Sequence, residues 1–256
     1  MSKLDKNKLE QLSTTLSGAL LWDSLHKHLY ATDASVYRML PLAVAYPKDE
    51  ADLIHLIHFA KAHKVALIPR AAGTSLAGQC VGEGIVVDIS KHFTAILDLD
   101  TNKMQVRVQP GVIRDELNQY LEPFGLFFGP NTSTSNRCML GGMVGNNSSG
   151  TTSIRYGVTR DKVVGLKALL SDGSKVEFQG LTPSEVGDKI QQKSLEGKIY
   201  NTIINELNNS EISKNIIKEF PRAEIHRRNT GYAVDSLLEM APVGSGRQPL
   251  NLSKLL

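Results

Sequence analysis

The sequence predicts an α+β chain of two lobes. Three observations carry this: a strand, helix, strand pattern between Leu42 and Ile89 with a glycine-rich segment before its last strand; two hairpin signals, at 95–108 and 163–178; and helical periodicity after them. The expected boundaries are a helical arm over 1–35, a first lobe over about 36–91 and a second, larger one over about 92–256.

The arm rests on Leu9, Leu12, Leu16 and Leu20, spaced as one helical face among Lys, Glu and Gln across residues 3–29, and is expected to pack on the body. Leu42 to Tyr46 reads as a strand stopped by Pro47. Asp49 and Glu50 then supply the acidic first turn of a helix to about His63, with Leu53, Ile54, Ile57 and Ala60 as its stripe. Val65 to Ile68, ended by Pro69, and Ile85 to Ile89 are the next strands. Ala95 to Leu99, a turn at Asp100 to Asn102, and alternating Met104, Val106 and Val108 form the first hairpin. Val112 to Leu121 is a helix, and Val163 to Leu170 pairs with Lys175 to Phe178 across Ser171 to Ser174. Ile199, Ile203 and Leu207 mark one late helix, Ile212 and Ile216 another.

Composition narrows the function. With 29 Lys and Arg against 26 Asp and Glu, the net charge of +3 is too even for nucleic acid to lead as partner and favours at most an anionic ligand. Cys80 and Cys138 belong to no C-x-x-C, so a cysteine-held zinc or iron–sulfur site is excluded. Lone thiols and the lack of an apolar leader or span point to the cytoplasm, a peripheral place on the inner membrane being the alternative.

Two segments carry chemistry. PRAAGTSLAGQ, residues 69–79, leaves a strand into small residues and hydroxyls, where successive backbone N–H groups can converge on a phosphate. It is not a Walker loop, because Gln79 and Cys80 stand where Lys and Ser/Thr are needed. A nucleophile elbow at Ser75 needs a following helix, which Gly78, Gly82 and Gly84 oppose, and Gly82-Glu-Gly84 lacks the third glycine of a nicotinamide fingerprint. A plain surface loop is the remaining alternative. The second segment, GPNTSTSNRCMLGGMVGNNSSG at 129–150, is too polar to be core. Met139, Leu140, Met143 and Val144 can anchor a helical turn that leaves the amides of Gly141 and Gly142 free, while Asn146, Asn147 and Ser149 suit the edge of a polar heterocycle. Two anion cradles suit a dinucleotide.

These motifs, with RYGVTRDKVVGLKALLSDGS at 155–174, resemble the PCMH-type, vanillyl-alcohol-oxidase-like FAD-binding domain, and within it the group of D-lactate dehydrogenase, D-2-hydroxyglutarate dehydrogenase and the GlcD subunit of glycolate oxidase. The resemblance runs from about Ala31 to the last residue. It implies that Pro69, Arg70, Ala71, Ala72, Gly73, Thr74, Ser75 and Gly78 wrap the FAD pyrophosphate and that Pro130, Gly141, Gly142, Asn146, Asn147, Ser149 and Gly150 complete the site. No His lies between Arg70 and Gly78, so FAD is expected to be held non-covalently. The implied reaction is oxidation of a 2-hydroxy acid, of the D-lactate, glycolate or D-2-hydroxyglutarate type, by hydride transfer to flavin N5, with a quinone, an electron-transfer flavoprotein or an iron–sulfur domain as acceptor. Arg227 and Thr230 are weak substrate candidates. The family's later flavin-contacting strand and substrate domain are not found here, so the chain is expected to be the first part of a longer oxidoreductase, inactive by itself, and no catalytic base is assigned. A flavin-binding module without turnover is the alternative.

Other side chains are weaker candidates. His55 and His58 lie three apart on a helix without an evident third metal ligand, and His26 and His28 cannot share a face. His226, Arg227 and Arg228 suit either a carboxylate or a solvated turn. Asp115, Glu116 and Asp161 read as helix-end charges.

Overall fold

The computed structural model describes residues 6–222, 224–225, 231–244 and 246–255. The chain divides into two compact units, Met1–Met143 and Val144–Leu256. The mixed helices and sheets are α+β, as expected.

In the first unit, α1 (Lys6–Thr15) precedes β1 (Ala19–Leu21) and α2 (Ser24–Leu29). The expected continuous arm helix is thus broken. Gly18 is the reason: a Cβ there would lie 2.0 Å from the Tyr46 carbonyl oxygen, so the chain presses flat against the next strand. The amides of Ser17 and Gly18 donate to the carboxylate of Asp52 at 2.7 and 2.9 Å, and Lys48 N–H donates to it at 2.8 Å. Leu20 is buried in a strand instead of on the helix.

β1 pairs antiparallel with β2 (Ala43–Tyr46). After α3 (Glu50–His63) come β3 (Leu67–Arg70) and β4 (Ile85–Asp88), which complete a sheet ordered β1-β2-β4-β3 with its last three strands parallel. A parallel strand buried on both faces reads as a continuous apolar run, and β4 is buried throughout. On α3 the fully buried apolar residue is Leu56, outside the expected stripe; it packs with Leu9, Leu12, Leu20, Ala43, Ala45, Ile85 and Val87. β3 also runs past Pro69 to Arg70. The carbonyls of Ala66 and Arg70 accept from Ile85 and Ile89, so by strand alternation the backbone of Pro69 faces the free edge, where a missing N–H disrupts no ladder.

β5 (Ile96–Asp100) and β6 (Gln105–Val108) form the first hairpin. Its turn is longer than expected: Met104 takes a φ of 52° and is exposed, while Asp100 Oδ1 accepts the Lys103 N–H. α4 (Arg114–Leu121) closes a second small core of Val112, Leu117, Leu121 and Leu140, and α5 spans Leu140–Gly145.

In the second unit, α6 (Ser153–Tyr156) and α7 (Thr159–Lys162) precede the hairpin of β7 (Leu166–Leu169) and β8 (Lys175–Phe178). α8 (Pro183–Gln191), not anticipated from periodicity, is followed by α9 (Leu195–Leu207), α10 (Ser210–Glu219) and the short parallel pair β9 (Met240–Ala241) and β10 (Gln248–Pro249). Tyr200, Val186, Leu237 and Leu250 are central to this core.

α8 starts at a capping box. Glu185 Oε2 accepts from the Thr182 N–H at 2.7 Å and its hydroxyl at 2.8 Å, while Thr182 Oγ1 accepts the Glu185 N–H at 3.4 Å. Thr182→Ala is expected to cost about 1 kcal/mol, read as a lower urea midpoint at unchanged slope. An unchanged midpoint would show that the box contributes nothing.

Candidate functional site

β3 ends where Arg70 accepts its last ladder bond from Ile89, and the chain then turns through Gly73 and Gly78 at φ of 66° and 71°, a left-handed geometry that favours glycine. Among the described residues, the backbone N–H groups of Ala71, Ala72, Gly73, Thr74, Ser75, Leu76 and Gly78 have no protein acceptor. Such a run is normally satisfied by water or by an anion. The Ser75 hydroxyl instead serves the loop itself: it donates to Gln79 Oε1 at 2.8 Å and accepts the N–H groups of Ala77 and Gln79. That use leaves no room for a nucleophile elbow.

In the second segment, Leu140 and Met143 are buried anchors. The two glycines between them differ. Gly141 N–H donates to the Pro110 carbonyl at 2.8 Å, so the expectation of a free amide there is wrong; a Cβ on Gly141 would lie 2.5 Å from Pro110 Cβ, and the glycine is required by packing. Gly142 is exposed, its N–H has no acceptor among the described residues, and a Cβ on it would meet only Ala71 Cβ, at 3.7 Å. Nothing inside the protein demands glycine at 142. The two motifs meet there, within the first unit.

Pro130 is buried and its carbonyl accepts from Arg114 Nε at 3.2 Å. In the second unit, Asn146 is exposed and its amide donates to Ser148 Oγ, while the Gly150 carbonyl accepts the Ser153 N–H and Ser149 is half-buried. Asn147, at φ 45°, is buried, and its side-chain oxygen accepts the Arg160 N–H at 2.9 Å. Its carbonyl oxygen is therefore engaged by backbone, not presented to a heterocycle. Arg227 and Thr230 lie outside the described residues.

Asp115 pairs with Arg114 at 2.8 Å and accepts the Ser135 hydroxyl; the Arg114 guanidinium holds its carboxyl below the usual carboxylate range. Asp161 accepts the Val158 N–H ahead of α7. His55 and His58 are exposed on α3.

Sequence reasoning missed the surroundings of Arg70. Its guanidinium lies 5.0 Å from the centre of the Tyr30 ring and donates to the Thr32 carbonyl at 2.8 Å. The Tyr30 hydroxyl donates to the buried carboxylate of Asp88 and accepts the Tyr46 hydroxyl at 2.9 Å. Burial, then the Asp88 hydrogen bond, pushes the Tyr30 pKa upward, which keeps it protonated as a donor. The one available signal was an Asp closing an otherwise apolar strand.

An edge strand that delivers a run of amides without protein acceptors, faced by a second open glycine, is an arrangement that suits a phosphate. Residues 41–179 match the FAD binding domain family. The chain is 36% identical over 232 residues to D-2-hydroxyglutarate dehydrogenase of Haemophilus influenzae, covering 88% of this chain and 22% of that protein. It is 34% identical over 160 residues to glycolate oxidase subunit GlcD of Bacillus subtilis, covering 62% and 34%. Among solved structures, alkyldihydroxyacetonephosphate synthase superposes with a TM-score of 0.62 at 20% identity over 68% of this chain and 35% of that one, a likeness of fold. The chain belongs to the FAD binding domain family, and its cofactor is FAD. It spans roughly a fifth to a third of the length of the curated relatives named. A linked pair of phosphates fits the amide run and the unfilled space at Gly142. Among the described residues, no helix is long and apolar enough to cross a membrane.

Proposed function

We propose that this chain is the FAD-binding part of an oxidoreductase acting on a 2-hydroxy acid of the D-2-hydroxyglutarate, D-lactate or glycolate type. The supporting observation is the approach of Gly142 to Ala71, which sets an amide without an acceptor beside the amide run of the 71–76 loop. Pro69 to Ser75 and Gly78 are assigned to the pyrophosphate together with Gly142, with Gly141 and Pro130 shaping the backbone around them. The assignment of Asn146, Asn147, Ser149 and Gly150 to FAD rests on the family's motif and not on geometry, as does that of Arg227 and Thr230 to substrate. FAD supplies the redox chemistry, and the chain's part is to bind and orient it. The electron acceptor follows from the resemblance: a quinone, an electron-transfer flavoprotein or an iron–sulfur domain. FAD titration of the purified chain tests the cofactor assignment; saturable uptake of one equivalent is expected, and none would refute it. Dye-linked turnover by the polypeptide that carries this chain tests the substrate class, with D-2-hydroxy acids expected to outpace their L enantiomers.

FAD is held without a covalent bond. The loop carries no His, and both thiols, Cys80 and Cys138, are buried. Acid precipitation of the FAD-loaded protein is expected to release all flavin to the supernatant; a yellow washed pellet would contradict this.

A further inference from the structure

We propose that the segment from Tyr30 to Ala34, which precedes the part of the chain matched by the family, is a clamp that holds the 70–78 loop in its cofactor-receiving shape, and that the Arg70 side chain serves this clamp as a positioning residue. The cofactor part of the proposal rests on the reading of that loop as the FAD pyrophosphate site.

Four contacts define the clamp. The Tyr30 ring stacks under the Arg70 guanidinium, the Thr32 carbonyl accepts from Arg70 Nη1, the Ala34 N–H donates to the Gly73 carbonyl at 3.1 Å, and the Cys80 thiol donates to Asp33 Oδ2 at 3.5 Å. They touch the loop at its start and its middle, and the chain just past its end at Cys80. The guanidinium also lies directly beneath the loop, since a Cβ on Gly73 would come 2.5 Å from Arg70 Nη2. A cation there, stacked and hydrogen-bonded on its protein side, fixes the loop from below while the amides of 71–76 stay open.

The clamp is itself anchored. Asp88, opposite Arg70 in the β3–β4 register, accepts the Tyr30 hydroxyl on one oxygen and the Ser90 N–H on the other. Ala31 is fully buried, its carbonyl accepts the Met39 N–H at 2.9 Å, and Thr32 forms a bridge with Arg38. The segment therefore arrives preformed. A loop most of whose amides gain no protein partners has little of its own to hold it in one conformation, and an ordering contact from outside lowers the entropy lost when a ligand binds.

The test compares the native chain with Tyr30→Leu, which removes the stacking face, and Tyr30→Phe, which keeps it. Trypsin cleavage at Arg70–Ala71, followed by mass spectrometry, reads the clamp without FAD, and cleavage at exposed Lys64 in the same unit reports general loosening. Tyr30→Leu is expected to raise cleavage at Arg70 at least fivefold with Lys64 unchanged, and to weaken FAD binding at least tenfold; Tyr30→Phe, which keeps the ring and loses the Asp88 anchor, is expected to lie between native and Tyr30→Leu on both. Equal cleavage in all three proteins, a parallel rise at Lys64, or a Tyr30→Phe variant as readily cleaved at Arg70 as Tyr30→Leu overturns the clamp. A native chain that takes up no FAD refutes the cofactor reading, and the cleavage at Arg70 then still decides the clamp.

Discussion

Gly142→Asp is expected to weaken FAD binding by at least about a hundredfold while the FAD-free protein melts close to the native chain. The substitution sets a carboxylate beside an amide without an acceptor and opposite the amide-rich loop, so an anionic ligand loses a charge-assisted hydrogen bond, about 1.5–3 kcal/mol, and meets a like charge in addition. The structure separates this from a folding effect. Gly142 has no positive φ, and a Cβ there meets only ordinary contact at 3.7 Å, so the apo-protein has no reason to refuse the side chain. Gly141→Asp makes the contrasting control: its Cβ has no space against Pro110, and it is expected to lower the melting temperature first. Tight FAD binding by Gly142→Asp would remove Gly142 from the site.

Asp52→Ala is expected to destabilise the first unit by about 3–5 kcal/mol, a fall in its melting temperature of roughly 10–15 °C. Asp52 is 1% exposed, and its two oxygens accept the N–H groups of Ser17, Gly18 and Lys48. Removing the carboxylate strands two amides where α1 hands the chain to β1 and a third, that of Lys48, just ahead of α3. Asp52→Asn, which keeps one acceptor oxygen, is expected to lose roughly half as much. Burial alone raises the Asp52 pKa, but the three backbone donors outweigh it and hold the carboxyl below the usual carboxylate range. A depressed folded pKa means that the stabilisation is complete above the unfolded value and is lost as pH falls through the folded one. Acid unfolding of the native chain should therefore include a component below about pH 4 that Asp52→Ala lacks, measured by circular dichroism on both proteins. Identical acid profiles would remove Asp52 from that role.

The β-α-β unit was legible because each strand is an apolar run bounded by Pro, Gly or charge, and Asp49 announces α3 by capping it. The run of open amides after β3 was legible for the same kind of reason: small residues in a row after a strand have few uses other than exposing backbone. The break at Gly18 was not, since the helical spacing of Leu16 and Leu20 continues past it and only the approach to Tyr46 and Asp52 forbids the helix. Gly141 and Gly142 are adjacent and identical in sequence; what separates the glycine that packing requires from the open one is Pro110, about thirty residues earlier. Tyr30 was hidden because its partners, Arg70 and Asp88, come from strands far along the chain.

Pro69 has a second consequence. The sheet stops at β3, a four-residue strand whose outward-facing backbone groups belong to Leu67 and Pro69, and of those two residues only Leu67 can donate. A foreign strand seeking to extend the sheet would find a template with half its donors erased, which is how natural edges resist aggregation and strand exchange. The residue that leads into the 70–78 loop thus also ends the sheet's capacity to grow, and replacing it with Val or Ile would restore a sticky edge beside that loop.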